Sequence, residues 1–210
     1  MARPVNANAA ETRGRVLGAA TRLFASQGRD GTSMRAIASE ASVSLATISH
    51  YFENKQGLYD RCVDQMYADL AALREELASE VSLETLSLEA ALEPAVRAGF
   101  RFARTHQAGI RLVMRTVIDQ GELDPARRDR YQMPHLHAGA RLAASFLNRP
   151  VGEVQLSLQS LVHLTVRYAL STNRELCDIA GLEEQTPDPT TPIEDHLVEV
   201  ARRLFSQGAA

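Results

Sequence analysis

Residues 33–52 read SMRAIASEASVSLATISHYF and contain two short amphipathic stretches separated by only three or four residues. The first stretch begins at Ser33 and the second after Ser44, and serine is a preferred residue at the N-terminal cap of a helix. Two short helices at this spacing predict a helix-turn-helix, in which the second helix enters the major groove of DNA. The fold of the N-terminal part of the chain is therefore predicted from these twenty residues.

The outward face of this helix pair supplies the candidates for contact with DNA. Ile37, Ala38, Val43 and Ile48 lie where the two helices must pack together, which leaves short polar and aromatic side chains facing outward. The candidates are Ser33, Arg35, Ser44, Leu45, Thr47, Ser49, His50 and Tyr51. Lys55, the only lysine in the chain, begins the next helix, where a cation beside free backbone amides suits a phosphate oxygen.

Helical periodicity continues through nearly the whole chain, and no stretch shows sustained alternation of apolar and polar residues. The predicted helices span about 10–27, 33–40, 45–51, 55–79, 84–104, 107–120, 125–148, 151–173 and 193–206. Gly28 is expected to end the first helix, Pro134 to bend or divide the seventh, and residues 181–192 to form a loop. The predicted fold is all-α, with a three-helix DNA-binding domain over residues 10–70 and a larger helical domain over 71–210.

Composition and charge narrow the class of protein. The 210 residues are 45% hydrophobic and 23% charged, which is the balance of a folded soluble protein. No apolar run approaches the roughly 18 residues of a membrane span, and the two cysteines form no metal or disulfide pattern. We expect a cytoplasmic location. Residues 1–65 carry eight basic and six acidic side chains, so the positive charge lies in the part predicted to approach phosphate.

The run from Glu11 to about Val63 resembles the DNA-binding domain of the TetR family of transcriptional regulators. The matching positions are Leu23-Phe24-Ala25, Gly28, Thr32 to Arg35, Ile37-Ala38, Val43-Ser44, Thr47-Ile48, His50 to Phe52, Asn54-Lys55 and Leu58. The resemblance implies a homodimer in which each N-terminal domain binds half of a palindromic operator in double-stranded DNA. It also implies that the C-terminal domain binds a small-molecule effector and forms the dimer.

Three positions depart from the pattern of that family. Ser42 stands at a turn position that is usually glycine, and it must adopt a positive φ at a cost of about 1 kcal/mol. Ala46 stands where glycine is common, and Ser49 where a tyrosine commonly contacts phosphate. The contacts of this recognition helix are therefore expected to differ from the common ones.

Candidates for an effector pocket and a dimer interface lie in the C-terminal part. The pocket candidates are Phe100, Arg111, Met114, Arg115, Ile118, Phe146 and His163, any of which equally suits the core or an exposed face. The last two long helices of TetR-like proteins commonly form a four-helix bundle with those of a second subunit. The resemblance therefore implies an interface at Val154, Leu158, Leu161, Val162, Thr165, Leu197, Val200, Ala201 and Leu204, although their composition would equally suit the core of a monomer.

No metal, cofactor or catalytic activity is expected. His135 and His137 point in nearly opposite directions on a helix, so they cannot share an ion unless Pro134 breaks that helix. No nucleophile elbow, phosphate-binding glycine loop, HExxH or CxxC motif is present. The leading interpretation is a homodimeric repressor that releases DNA when an effector binds. An activator or corepressor-dependent regulator is the first alternative, and a helical ligand-binding protein without DNA binding is the second.

Overall fold

The computed structural model describes residues 5–80 and 87–206, and within these ranges its regular structure consists of helices. The helices are α1 (Val5–Gly31), α2 (Met34–Glu40), α3 (Leu45–Tyr51), α4 (Lys55–Glu80), α5 (Leu88–Thr105), α6 (Gln107–Gln120), α7 (Pro125–Arg127), α8 (Met133–Leu147), α9 (Val151–Ala169), α10 (Asn173–Ala180) and α11 (Thr190–Leu204). The predicted all-α fold, with an N-terminal helix-turn-helix followed by a helical domain, is confirmed.

Helices are interrupted at Gly28 and near Pro134, as the sequence predicts. Gly28 has φ 76° and ψ 166° and breaks α1, although a further turn continues to Gly31. A π-helical turn over Arg128–Gln132 separates α7 from α8, immediately before Pro134. Proline has no N–H to donate to the preceding turn, so a wider turn at this point is the expected response. Residue 84, the predicted start of the fifth helix, lies outside the described residues; α5 begins at Leu88, capped by Ser87.

The prediction of one helix from 151 to 173 is wrong at its end, because α9 stops at Ala169 and α10 follows from Asn173. The Thr172 hydroxyl accepts a hydrogen bond from the backbone N–H of Glu175 at 3.1 Å, and Gly181 ends α10 with φ 64°. Thr172 and Glu175 have the spacing of a capping box, so the sequence contained the signal for this helix. The apolar run before Thr172 continues the helical pattern, so this pattern did not indicate that α9 ends at Ala169.

The first of two compact units comprises the residues up to Leu70 together with Ala108–Leu123. Its core includes Val16, Phe24, Ile37, Ile48 and Leu58, each with 0% exposure. These residues come from α1, α2, α3 and α4, so one apolar cluster fixes the arrangement of the helix-turn-helix. Nearly all of α6 belongs to this unit, although Ala108 lies 38 positions after Leu70 in the chain.

The second unit comprises Ala71–Gln107 and the residues from Asp124 onward. Phe100 of α5, Val154 of α9 and Leu197 of α11 are fully buried in its core. Glu194 is 5% exposed on α11 and accepts two hydrogen bonds of 2.8 Å from Arg101 and one of 3.3 Å from Arg97. Both arginines lie on α5, so a buried carboxylate ties the two helices together. The division of function between residues 10–70 and 71–210 stays a prediction.

Candidate nucleic-acid interface

Short polar side chains set the start of each helix of the helix-turn-helix. The hydroxyl of Ser33 accepts from the N–H of Ala36 at 3.0 Å, and the hydroxyl of Ser44 accepts from the N–H of Thr47 at 3.0 Å. The amide oxygen of Asn54 accepts from the N–H of Gly57 at 2.9 Å at the start of α4. Each cap satisfies a helix N–H that has no partner inside the helix, so the predicted boundaries of α2 and α3 are confirmed.

The turn between α2 and α3 holds Ser42 at φ 54°, as the sequence predicts. The N–H of Val43 donates to the carbonyl of Ala38 at 3.0 Å, which closes the turn tightly enough to require this left-handed residue. A serine in this conformation carries a Cβ that crowds the backbone, so the site is strained where a glycine would not be.

Most of the predicted DNA contacts on α2 and α3 have accessible side chains. Arg35, Ser44, Leu45, Ser49 and His50 are exposed, whereas Thr47 and Tyr51 are half-buried. The hydroxyls of Ser44 and Thr47 lie 2.8 Å apart, and the rings of His50 and Tyr51 meet edge to face with centroids 5.1 Å apart. The hydroxyls and the imidazole are short donors and acceptors held on a rigid helix, while Arg35 extends from the neighbouring one. Their contact with DNA stays a prediction.

Lys55 is held against the backbone between α1 and α2. Its half-buried Nζ donates to the carbonyl oxygen of Thr32 at 3.2 Å. Thr32 is itself fully buried, and its hydroxyl donates to the carbonyl oxygen of Gly28 at 2.7 Å. The ammonium group therefore has one N–H fixed by the fold and two that remain for a phosphate oxygen. The sequence did not predict that Lys55 also positions the link before α2.

Helix α6 contributes two contacts to the same unit. A Cβ built on Gly28 would lie 3.0 Å from the guanidinium of Arg115, so this arginine lies over the break in α1. The hydroxyls of Tyr59 and Thr116 lie 2.9 Å apart and join α4 to α6. Tyr59 in turn packs its ring edge to face against Phe24. A helix that the sequence assigned to the C-terminal domain thus packs within the unit that carries the helix-turn-helix.

The seven predicted pocket residues are divided between the two units, and their role in binding an effector stays a prediction. Phe100 is fully buried in the second unit, while Arg111, Met114, Arg115 and Ile118 lie on the part of α6 that belongs to the first unit. Ile118 is 78% exposed, and Arg115 lies 3.5 Å from Asp119. His163 is exposed beside Gln159 rather than buried. Phe146 lines a cavity in the second unit.

The predicted dimer residues divide by burial. Val154, Leu161, Leu197 and Ala201 are buried within a single chain, because α5, α8, α9 and α11 pack on one another. Val162 is exposed, and the remaining ones, Leu158, Thr165, Val200 and Leu204, are half-buried. The buried four therefore serve the chain's own core in this conformation, as the alternative interpretation of their composition allowed.

His135 is packed against α4 rather than presented as a ligand. Arg74 donates to its Nδ1, and its Nε2 is buried with no hydrogen-bond partner in the described part of the chain. Burial and, to a smaller extent, the charge of Arg74 lower the pKa of this histidine. Among the described residues no group of His, Cys, Asp and Glu could hold a metal ion. Across residues 5–80 and 87–206, none of the helices has the length and apolarity to cross a membrane.

Comparison with known proteins agrees with this geometry at the N-terminus. The sequence model described as "Bacterial regulatory proteins, tetR family" matches residues 16–62. A probable HTH-type transcriptional regulator of Bacillus subtilis (strain 168), YttP, is 36% identical over 74 residues. That match spans 35% of this chain and 36% of the relative, so it covers only about a third of the relative's length.

Solved structures resemble the chain over nearly its whole length. A TetR-like transcriptional regulator from Rhodococcus sp. RHA1 has a TM-score of 0.65 at 21% identity, covering 93% of this chain and 96% of that one. A TetR variant from Acinetobacter baumannii AYE, crystallised with minocycline, has a TM-score of 0.56 at 16% identity, covering 94% and 98%. At these identities the likeness establishes the fold of both units.

Proposed function

We propose that this chain, whose N-terminal domain belongs to the TetR family of bacterial regulatory proteins, is a homodimeric repressor. In this proposal it binds a palindromic DNA operator and releases it when a small molecule binds. The observation that carries the proposal is the exposed face of α2 and α3. Arg35, Ser44, Ser49 and His50 are all accessible on helices that are capped, short and firmly seated on a buried core. Short polar groups on such a helix can approach base edges and phosphates without disturbing the fold.

A second copy of the chain is needed for palindrome recognition, and exposed apolar side chains offer a surface for it. Leu142 of α8 and Val151, Leu156, Val162 and Leu164 of α9 are exposed large hydrophobic residues. Leu156 is 72% exposed, which is costly for an isolated soluble chain when neighbouring apolar groups are exposed as well. The proposed interface therefore uses α8 and the outward face of α9 in place of the buried residues of α11.

The dimer interface has its own test. Leu156→Arg places a charge at the most exposed apolar position of α9 and should shift the sedimentation of the purified protein toward the monomer. Ile179→Arg, at an exposed apolar position on α10, is the matched control and should leave the mass unchanged. A Leu156→Arg protein that sediments as the wild-type dimer would remove α9 from the interface.

Release of DNA is proposed to follow from a change in the separation of the two recognition helices. Two copies of α3 bind successive major grooves only when they lie about 34 Å apart, one turn of DNA. Helix α4 runs from Lys55 into residues of the second unit, and α6 leaves the second unit at residue 107 to contact Gly28 and Tyr59. A ligand that favours another conformer would weaken DNA binding by its differential affinity, about 2.7 kcal/mol for a hundredfold effect.

Selection of random duplex DNA by the purified protein at several salt concentrations tests the DNA-binding proposal. We expect a palindromic sequence to be enriched. The logarithm of its binding constant should fall with the logarithm of the salt concentration at a slope of about −0.9 per neutralised phosphate. Arg35→Ala should weaken binding to the selected sequence by about 1–3 kcal/mol if its guanidinium contacts a base. Arg203→Ala, which removes an exposed arginine from α11, should leave the affinity unchanged. Equal binding by all three proteins would contradict the role of Arg35.

A further inference from the structure

A pocket of about 430 Å³ opens in the second unit, where the N-terminal end of α5 meets the C-terminal ends of α8 and α11. Leu88 and Leu92 of α5, Phe146 and Leu147 of α8, and Phe205 after α11 form its apolar walls. This volume lies within the range of about 300–1,000 Å³ that is typical of small-molecule sites in proteins. The pocket is therefore large enough for a ligand rather than for a few waters.

Two arginines hold the helix ends that form the walls. Arg149 donates to the carbonyl oxygen of Leu204 at 2.8 Å and so ties the end of α11 to the turn between α8 and α9. Arg202 donates to Glu93 at 2.7 Å and so ties α11 to α5. The walls are thus joined by charge-assisted hydrogen bonds that do not depend on a ligand, and a preformed pocket spares a ligand the cost of ordering it.

The polar side of the pocket offers donors. Arg202 lines the pocket. Its guanidinium has five N–H groups, and within the described chain only Glu93 accepts from it. Ser206 also lines the pocket, next to that arginine's helix end. Glu93 is shared with Arg97, whose Nε lies 2.9 Å from the other carboxylate oxygen, so both oxygens of Glu93 are engaged. A ligand at this side would meet a cationic donor and need an acceptor.

We infer that this pocket binds a small amphipathic carboxylate, with its hydrocarbon part against Leu88, Leu92, Phe146 and Phe205 and its carboxylate on Arg202. Phe146 is exposed without a ligand, and covering its ring with hydrocarbon removes apolar surface from water. The carboxylate would accept N–H groups of Arg202 that Glu93 leaves unused. This molecule is the effector of the regulator proposed above, and that role rests on the proposed function, whereas binding itself does not.

Calorimetric titration of the full chain with decanoate, without DNA, tests the pocket. Ser206→Trp fills the space from an exposed position and should raise the Kd for decanoate at least about tenfold, which corresponds to about 1.4 kcal/mol. Ser26→Trp is the matched control, because Ser26 is exposed on α1 and its hydroxyl donates to a backbone carbonyl in the preceding turn, as the hydroxyl of Ser206 does. Its Kd should equal the wild-type value. Unfolding midpoints of both variants show whether they fold.

A second ligand of equal chain length but without a carboxylate tests the role of Arg202. Arg202→Gln should weaken decanoate binding about tenfold and change the binding of decan-1-ol less than about twofold, because only the carboxylate needs the charge. Equal effects on both ligands would overturn the assignment of the carboxylate to Arg202. Wild-type protein that shows no saturable binding of decanoate below about 1 mM, or Ser206→Trp that binds it normally, would overturn the pocket.

The affinity of the protein for the selected DNA, measured with and without decanoate, tests the effector role separately from ligand binding. Addition of decanoate should weaken wild-type binding to that DNA and leave Ser206→Trp binding unaffected. If decanoate binds but DNA affinity does not change, the ligand site stands and its effector role is wrong. If the protein selects no DNA at all, the proposed function fails while the calorimetric result still decides the pocket.

Discussion

The helix-turn-helix of the N-terminal unit is shaped by serine side chains that act within one turn, whereas in the C-terminal unit a glutamate and two arginines join helices that are far apart in the sequence. Ser33 and Ser44 each bond a backbone N–H three residues away. Arg97 and Arg101 bond Glu194 across 97 and 93 residues of sequence. The first kind of contact can be predicted from a short motif, while the second exists only after the chain has folded.

The two kinds of contact also differ in the free energy of unfolding that is lost when one of them is removed. Loss of an exposed helix cap costs about 1 kcal/mol, because water can replace the missing hydrogen bond in part. Loss of a hydrogen-bonded partner at a buried carboxylate costs more, because the groups left behind remain desolvated. The C-terminal unit should therefore be the more sensitive of the two to a single polar substitution.

The largest effect is expected at Glu194. Glu194→Gln keeps the shape but removes the charge that Arg97 and Arg101 share, and it should lower the free energy of unfolding by about 2–3 kcal/mol. Asp195→Asn is the matched control, since Asp195 bonds Arg97 at 2.7 Å but is 60% exposed, and its loss should cost less than about 1 kcal/mol. Urea titration measures both. Equal losses would show that burial does not distinguish the two carboxylates.

The next effect is expected at the break in α1. Gly28→Ala forces a side chain into φ 76° and brings its Cβ to 3.0 Å from Arg115, so it should destabilise the protein by about 1–2 kcal/mol. Gly14→Ala lies in the same helix with no atom within 4 Å and should stabilise it by up to about 1 kcal/mol. Thermal unfolding of the two proteins gives the sign of each. A gain in stability for Gly28→Ala would mean that the fold does not require a positive φ at residue 28.

A smaller effect, of opposite sign, is expected at Ser42 and Asn148, which are the non-glycine residues with a left-handed backbone within residues 5–80 and 87–206. Ser42→Gly should stabilise the protein by about 1 kcal/mol, because serine is strained at φ 54°. Asn148→Gly, at φ 50° after α8, should change stability by only a few tenths of a kcal/mol, since asparagine tolerates this conformation. Urea midpoints of the two variants test the difference. Similar gains would place the strain in the backbone rather than in the residue type.

The smallest effect is expected from the titration of His135. Its folded pKa lies below the unfolded value because of burial and then Arg74, so folding disfavours the protonated ring. The contribution to stability is present above about pH 6.5 and is lost as the pH falls below it. His135→Gln should therefore flatten the decline of the unfolding midpoint between pH 7 and pH 5. Arg74→Gln should flatten it partly; an unchanged slope in both would exclude this histidine.

Much of the first unit could be predicted from the sequence because its signals are local. The caps at Ser33 and Ser44, the positive φ of Ser42 and the break at Gly28 each follow from a residue type in a short context. The additional role of Lys55 could not be predicted in the same way. Its bond to the Thr32 carbonyl spans 23 residues and depends on how α4 returns to the end of α1.

The sites proposed in the second unit were less predictable. Phe146 was one of seven pocket candidates, and its partners in the cavity come from residues such as Leu88 and Phe205, more than a hundred positions apart. Four of the predicted interface residues are apolar at helical spacing, which suits a core as well as an interface, and they are buried in the core. Periodicity identifies the apolar face of a helix but not the surface that covers it.

The all-α fold, the helix-turn-helix and its polar face can be predicted from the amino-acid sequence, because helix caps, turns and periodicity act over a few residues. The tertiary structure decided that α6 packs against Gly28 and Tyr59, that Glu194 is buried between two arginines, and that a pocket forms beside Arg202. These features depend on which distant faces meet. That choice is made by the packing of whole helices, and no single stretch of the chain encodes it.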